Sequence, residues 1–151
     1  MIFDRTQQDV DLALYLRQNK VQKFQELTES DIEVLERGFM TANTLNRIEQ
    51  KQVELKSILS QMGYWNVPIQ NKTWDTAQIF NVEDFKRIIE NLRILKEAFF
   101  TYKETPQNPR SRYHYENINA IEKILHDIEI MTNEIKSNYV FCGKFNCGEA
   151  I

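Results

Sequence analysis

Three stretches of this sequence carry apolar residues that recur three, four and seven positions apart, and that pattern points to a bundle of long helices. Leu45, Ile48, Leu55, Leu59 and Met62 form the first stripe, widened by Ile58 and ended by Gly63. Phe85, Ile88, Leu92, Leu95, Phe99 and Tyr102 form the second, with Ile89 beside it. Ile118, Ile121, Leu125, Ile128, Ile135 and Tyr139 form the third; Thr132 fills its gap, and Ile124 and Met131 broaden it. Such spacing gathers side chains on one face of a helix. Helices of roughly 20 residues span about 30 Å, so all three can pack side by side along their lengths. With only 4 Gly and 3 Pro in 151 residues, the chain lacks the turn residues a β sandwich or barrel needs.

Start and stop signals divide the rest. A first helix is expected from Thr6 to about Phe24, with Val10, Leu14, Val21 and Phe24 on its inner face and Leu16 near the edge. Thr28 and Asp31 form a capping arrangement for a short second helix that Gly38 ends. Thr41 or Asn43 can cap the third helix, and Asn81 with Asp84 the fourth. Thr105-Pro106 and Asn108-Pro109 make a rigid turn, and the fifth helix starts near Tyr115. Residues 64–80 break the pattern at Pro68 and carry Trp65, Trp74 and Phe80 without helical spacing, so this stretch is expected to wrap the bundle and insert its rings. The predicted architecture is all-α. An N-terminal helical pair (1–40) forms one domain with a three-helix core (41–139) containing the aromatic loop, and a short non-helical tail (140–151) follows.

The net charge of -3 shows no basic footprint for nucleic acid. No apolar run is long enough to span a membrane, and Met1 to Arg5 do not begin a secretory signal, so synthesis in the cytoplasm without export by the usual route is expected; proteins released by cell lysis share these features, which leaves the final location open.

The final residues pair two Cys-Gly units, Cys142-Gly143 and Cys147-Gly148, around Phe145 and after Phe141. A structural zinc site needs four ligands, and these cysteines would have to recruit His114 and His126. A redox motif would place two residues between the cysteines, whereas four stand here. A disulfide is open geometrically, although a reducing cytoplasm keeps thiols free. The reading preferred on the residues is a β-hairpin or extended tail that docks on a neighbour. His126 lies one residue off its helix stripe, as expected of a satisfied or solvent-edge histidine, and His114 is read as a surface residue. The carboxylates, Glu49, Glu54, Glu116, Glu122, Asp127 and Glu134 among them, are read as solvated helix faces, without the shifted environment that acid–base catalysis needs. Arg110-Ser111-Arg112-Tyr113-His114-Tyr115 mixes cations with aromatics and suits a partner-facing loop, because Arg and Tyr are enriched at interfaces. No catalytic, cofactor-binding or metal-ligating residue is assigned. The candidate partner contacts are Trp65, Trp74, Arg110, Arg112, Tyr113, Phe141, Cys142, Phe145 and Cys147.

A short echo links the helices. Leu45-Asn46-Arg47-Ile48-Glu49 parallels Ile118-Asn119-Ala120-Ile121-Glu122, and Phe85-Lys86-Arg87-Ile88 is a poorer third copy. It reads either as an ancestral helix repeat or as the chance likeness of amphipathic helix starts.

The run Asn43 to Glu49, followed by Met62-Gly63-Tyr64, resembles a signature of small tail-associated structural proteins of phages and prophages of Gram-positive bacteria. In that group a Trp-containing stretch follows, here Trp74 with Phe80. Asp84-Phe85-Lys86-Arg87-Ile88, Ala98 to Tyr102, Thr105-Pro106 and Ile118 to Leu125 continue the same order, and Cys142 to Glu149 resembles the group's closing motif. The resemblance spans about Arg5 to Glu149. It implies a virion component near a tail, baseplate or fibre, acting through contacts with other tail proteins and with copies of itself, and no enzymatic activity. The alternative expectation is a small helical module that binds and regulates a host or phage protein, through the turn from Thr105 to Tyr115.

Overall fold

The computed structural model describes residues 1–64, 67–98, 101–110 and 112–142, with backbone alone for 139–142. Five helices follow one another: α1 (Gln7–Asn19), α2 (Glu29–Gly38), α3 (Ala42–Gln61), α4 (Val82–Ala98) and α5 (Tyr115–Cys142). No strand occurs among the described residues. The helices start where short polar side chains replace missing backbone partners. Thr6, Thr28 and Thr41 accept from the N–H groups of Asp9, Asp31 and Thr44, so the α3 cap is Thr41 and not Asn43. Asn81 and Asp84 bond each other's backbone N–H groups at 2.9 and 3.3 Å, the reciprocal cap of α4.

Three boundaries differ from expectation. The stripe expected to carry the fourth helix through Tyr102 stops sooner, because α4 ends at Ala98 and Thr101 and Tyr102 are not helical. The first helix stops at Asn19, and a 3₁₀ turn (Val21–Lys23) follows, closed by Phe24 in the left-handed region at φ 53°. At the other end, residues 140–142 are helical and not tail, because no breaker precedes Gly143. The rest of the Cys-Gly ending, with Phe145 and Cys147, lies outside the described residues.

The core lies between α3, α4 and α5. Ile48, Leu55, Leu59, Phe85, Ile88, Leu92, Leu95, Ile121, Ile124, Leu125 and Ile128 are all buried, as the stripes require. These three helices run parallel. Glu49 meets Arg87 and Gln52 meets Asn91, so numbers rise together along α3 and α4. Arg47 meets Glu122 and Lys51 meets Glu129, so α3 and α5 also agree in direction. Parallel neighbours need long returns, and each helix is about 25–40 Å long at 1.5 Å per residue. Residues 62–81 and 99–114 are those returns, which explains loops longer than a bundle usually carries.

Each return lies in a seam between helices. Asn46 holds Trp74 by both backbone groups, accepting from its N–H at 2.7 Å and donating to its carbonyl at 2.8 Å. Asn91 does the same for Gln70, at 3.1 and 2.5 Å. The second return is fixed by Thr105, whose hydroxyl donates to Asp127 at 2.8 Å, and by Lys96, which donates to the Pro106 carbonyl. The N-terminal residues form a third such segment on the seam of α5 and α3. Asn119 takes the N–H of Arg5 at 3.2 Å and donates to its carbonyl at 2.8 Å. The echo is thus placed alike in each helix: Leu45, Phe85 and Ile118 are each the fourth residue of their helix. In α3 and α5 its Asn clamps an incoming backbone. That shared register and role favour the repeat reading.

α1 and α2 pack chiefly on each other. The buried side of α1 centres on Ala13, with Val10 and Leu16 partly covered; of the expected Val10, Leu14, Val21 and Phe24 stripe, Leu14, Val21 and Phe24 are exposed. Ala13 sets the closeness of the helices. A Cβ at Gly38 would lie 2.2 Å from the Ala13 Cβ and 2.5 Å from the Asp9 carbonyl oxygen. Backbone cannot yield cheaply there, and overpacking costs about 1–3 kcal/mol. Gly38→Ala is therefore expected to lower stability by about 2 kcal/mol in urea unfolding, with amide shifts confined to α1 and α2. An unchanged urea midpoint would contradict this packing.

Two carboxylates tie the hairpin. Asp9 accepts from Arg37 and from the Thr6 N–H, which hold its pKa at about 2. Asp31 accepts from Lys20 and from the Thr28 N–H, with the same result. Both pKa values are depressed relative to the unfolded chain. The stabilisation they give is complete above about pH 4 and is lost as pH falls through about 2. Side-chain carboxyl NMR titration is expected to give midpoints near 2 for both, and midpoints near 3.8 would contradict these bonds.

Candidate contact surface

Charged groups inside the bundle come first, because a buried carboxylate is where acid–base chemistry would be sought. Glu49, Glu122 and Asp127 are 2, 0 and 3% exposed, so the solvated-face reading fails for all three. Their burial is made possible by partners from other segments. Glu49 accepts from both terminal nitrogens of Arg87, from the Lys72 N–H and from the Trp74 indole. Glu122 accepts from the Ile2 N–H at 2.7 Å, from Arg5 at 2.8 Å and from two nitrogens of Arg47 at 3.0 and 2.7 Å. A carboxylate offers about four acceptor sites, and both are filled. Neither has a free lone pair with which to take a proton from a substrate. Asp127 is held by Thr105 and Lys123. These groups are joints between segments, and Glu49 holds the Arg87 guanidinium above its ordinary pKa. A sequence signal was present in the Asn-x-x-Glu repeat, but nothing local shows that an arginine arrives from elsewhere.

The histidines sit at edges. His126 stacks on Phe3 with ring centroids 5.1 Å apart, and His114 lies against Tyr115 and 3.4 Å from Glu116. Among the described residues, no group of three or more His, Cys, Asp or Glu could hold a metal ion. No helix among them is long and apolar enough to cross a membrane.

The expected partner contacts scatter. Trp74 is 4% exposed and belongs to the core, edge-on to Phe80 at 5.2 Å, with the Lys72 ammonium 4.1 Å from its ring centroid. It offers a partner almost no surface. Arg110 and Arg112 are exposed, as a contact role needs. Tyr113 is half-exposed, yet its ring also packs on Phe80 and Phe85 at 5.5 and 5.4 Å, and partial burial pushes its phenol pKa up. With His114 and Tyr115 it lines an open cleft faced by Val10, Phe39 and Met40. Trp65 lies outside the described residues, and the side chains of Phe141 and Cys142 are not described.

The apolar surface that sequence reasoning missed is on the hairpin. Half of the exposed large hydrophobics among the described residues fall between Leu12 and Ile32: Leu12, Leu14, Tyr15, Val21, Phe24, Leu27 and Ile32. Tyr15 is 63% exposed and Phe24 97%. Leu12 and Tyr15 stand three apart on α1, on one outer face. The signal available was that the inward positions of α1, Asp9, Val10, Ala13 and Leu16, and its cap Lys20 are mostly small or polar, which leaves most of its larger apolar residues outside.

No protein-family model, no curated protein and no solved structure matches this chain.

Proposed function

We propose that this chain is a structural protein that acts by protein–protein contact, in a phage tail, baseplate or fibre assembly, and that the α1–α2 hairpin is its main contact surface. The observation that carries the contact reading is the gathering of Leu12, Tyr15, Phe24 and Ile32 on a hairpin that packs chiefly on itself. Large apolar side chains grouped at a surface mark interaction sites more often than they serve the fold. The saturated joints at Glu49 and Glu122 support the same reading, since they suit a stiff scaffold that presents a surface. The tail placement rests on the resemblance of the ordered motifs from Asn43 to Glu149. Neighbours would be other tail proteins and further copies of this chain. The test is to measure mass in solution and to search purified particles for the protein by mass spectrometry. Presence in the tail fraction is the expected result; a stable monomer absent from every particle overturns the proposal.

One observation favours a second reading, a small module that regulates a host or phage protein. Arg110 and Arg112 stand exposed on the return between α4 and α5. A specific soluble partner, lost when both arginines are changed to Ala, would support it.

A further inference from the structure

The N-terminal part of α2 and the residues just before it, ahead of Arg37, carry one sign of charge. From Glu26 to Glu36 the chain has five acidic residues, Glu26, Glu29, Asp31, Glu33 and Glu36, and no Lys or Arg. Asp31 turns inward to Lys20, and Glu36 accepts from Asn43. Glu26, Glu29 and Glu33 remain exposed. Carboxylates in the first turn of a helix are favoured by its dipole, which accounts for Glu29. The dipole does not reward Glu33 in mid-helix, and it opposes Glu36 in the last turn.

Set against these anions are Val21, Phe24, Leu27 and Ile32, 40, 97, 37 and 46% exposed. Phe24 is the informative one. It sits at φ 53°, a conformation that suits Gly or Asn, and it is the only non-glycine residue at positive φ among the described residues. The fold gains nothing from a bulky ring there, because the ring is in solvent. The cations nearby are Lys20, paired with Asp31, Arg37, paired with Asp9 and Asp4, Lys23, which donates to the neutral Asn19, and the exposed Arg17 on α1.

Resting on the contact reading above, we infer that the turn and α2 of the hairpin bind a basic amphipathic helix of a partner protein. Its apolar side packs on Phe24, Leu27 and Ile32, and its Lys or Arg flanks meet Glu26, Glu29 and Glu33. Apolar anchors with a charged rim are the arrangement by which amphipathic helices are recognised, and the rim sets sign and specificity.

The probe is a fluorescein-labelled amphipathic peptide of Leu and Lys, about 18 residues long, titrated with the full chain and read by anisotropy. Two controls share its length: one with Glu in place of Lys, one with the same residues in an order that destroys the apolar face. The Lys peptide is expected to bind about tenfold or more tightly than either control, and more weakly as salt rises. Phe24→Gly is expected to weaken binding by about tenfold or more while the urea midpoint stays equal or rises, since Gly is at ease at positive φ. Glu29→Lys with Glu33→Lys is expected to weaken it similarly and to flatten the salt dependence. Equal binding of the three peptides, or unchanged binding by a folded Phe24→Gly variant, overturns the inference. So does a dimer in light scattering that Phe24→Gly dissolves and that binds no peptide, because the occupant is then a second copy. A negative peptide result together with hairpin contacts inside particles overturns the basic helix alone and leaves the contact reading standing.

Discussion

Replacing Glu122 with Ala is expected to lower the unfolding free energy by about 3–5 kcal/mol, the loss seen when one partner of a buried ion pair is removed. Three segments meet on this carboxylate: the N-terminal residues through Ile2 and Arg5, α3 through Arg47, and α5 itself. Arg5 is the exposed weakness of the joint in energetic terms. It is 3% exposed, its Nε and Nη2 have no protein acceptor, and its remaining terminal nitrogen relies on Glu122, Asn119 and the Ile2 carbonyl. Without Glu122 a buried guanidinium is left uncompensated, so the N-terminal segment should leave the α5 seam even where the bundle survives. Domains of this size are stable by about 5–15 kcal/mol, so the variant sits close to unfolding. Glu54 is the control. It is half-exposed and pairs with Lys51, and Glu54→Ala is expected to change stability by no more than about 0.5–1 kcal/mol. Urea unfolding of the two variants side by side decides the matter, and a Glu122→Ala loss as small as the control would contradict the joint.

Trp74→Ala should cost a similar amount, about 3–5 kcal/mol, for a different reason. The indole fills the seam beneath the first return, touches Phe80, and donates to Glu49 at 3.2 Å. Its removal opens a cavity and loosens residues 70–74 from α3. Trp74→Phe separates the two contributions. The ring largely refills the space, so the loss should fall to about 1.5–3 kcal/mol, the value of one hydrogen bond to a charged group. Hydrogen exchange at the amides of Gln70, Lys72 and Trp74 should quicken in both variants, most in the Ala form. Equal stability of the Ala and Phe variants would show that packing at this ring matters little.

The bundle was legible because its information is local. Three-four spacing names a helix face, and Thr6, Thr28, Asn81 and Gly38 mark ends through chemistry within four residues. The direction of packing was not legible. Parallel helices follow from how residues 62–81 and 99–114 run back, and that depends on clamps between Asn46, Asn91 or Asn119 and backbone far along the chain. The same holds for Glu49 and Glu122, which look like surface carboxylates until Arg87, Arg47 and Arg5 arrive from other segments. The hairpin misled for the opposite reason. Leu14, Val21 and Phe24 have the spacing of a buried stripe, but α1 ends at Asn19, and the small pair Ala13 and Gly38 wins the inner face by allowing closer approach. Of the expected contacts, Arg110 and Arg112 are placed at the surface, whereas Trp74 is used inside the core.

The most direct test is site-specific photo-crosslinking in assembled particles, with the photoreactive residue placed at Tyr15 on the hairpin or at Val53 on α3. Both positions are exposed, at 63 and 38%, so reactivity with solvent alone does not separate them. The expected result is a discrete cross-linked partner from Tyr15 and none of comparable yield from Val53. Cross-links from Val53 alone, or from neither position in particles that contain the protein, would contradict a hairpin that carries the contact.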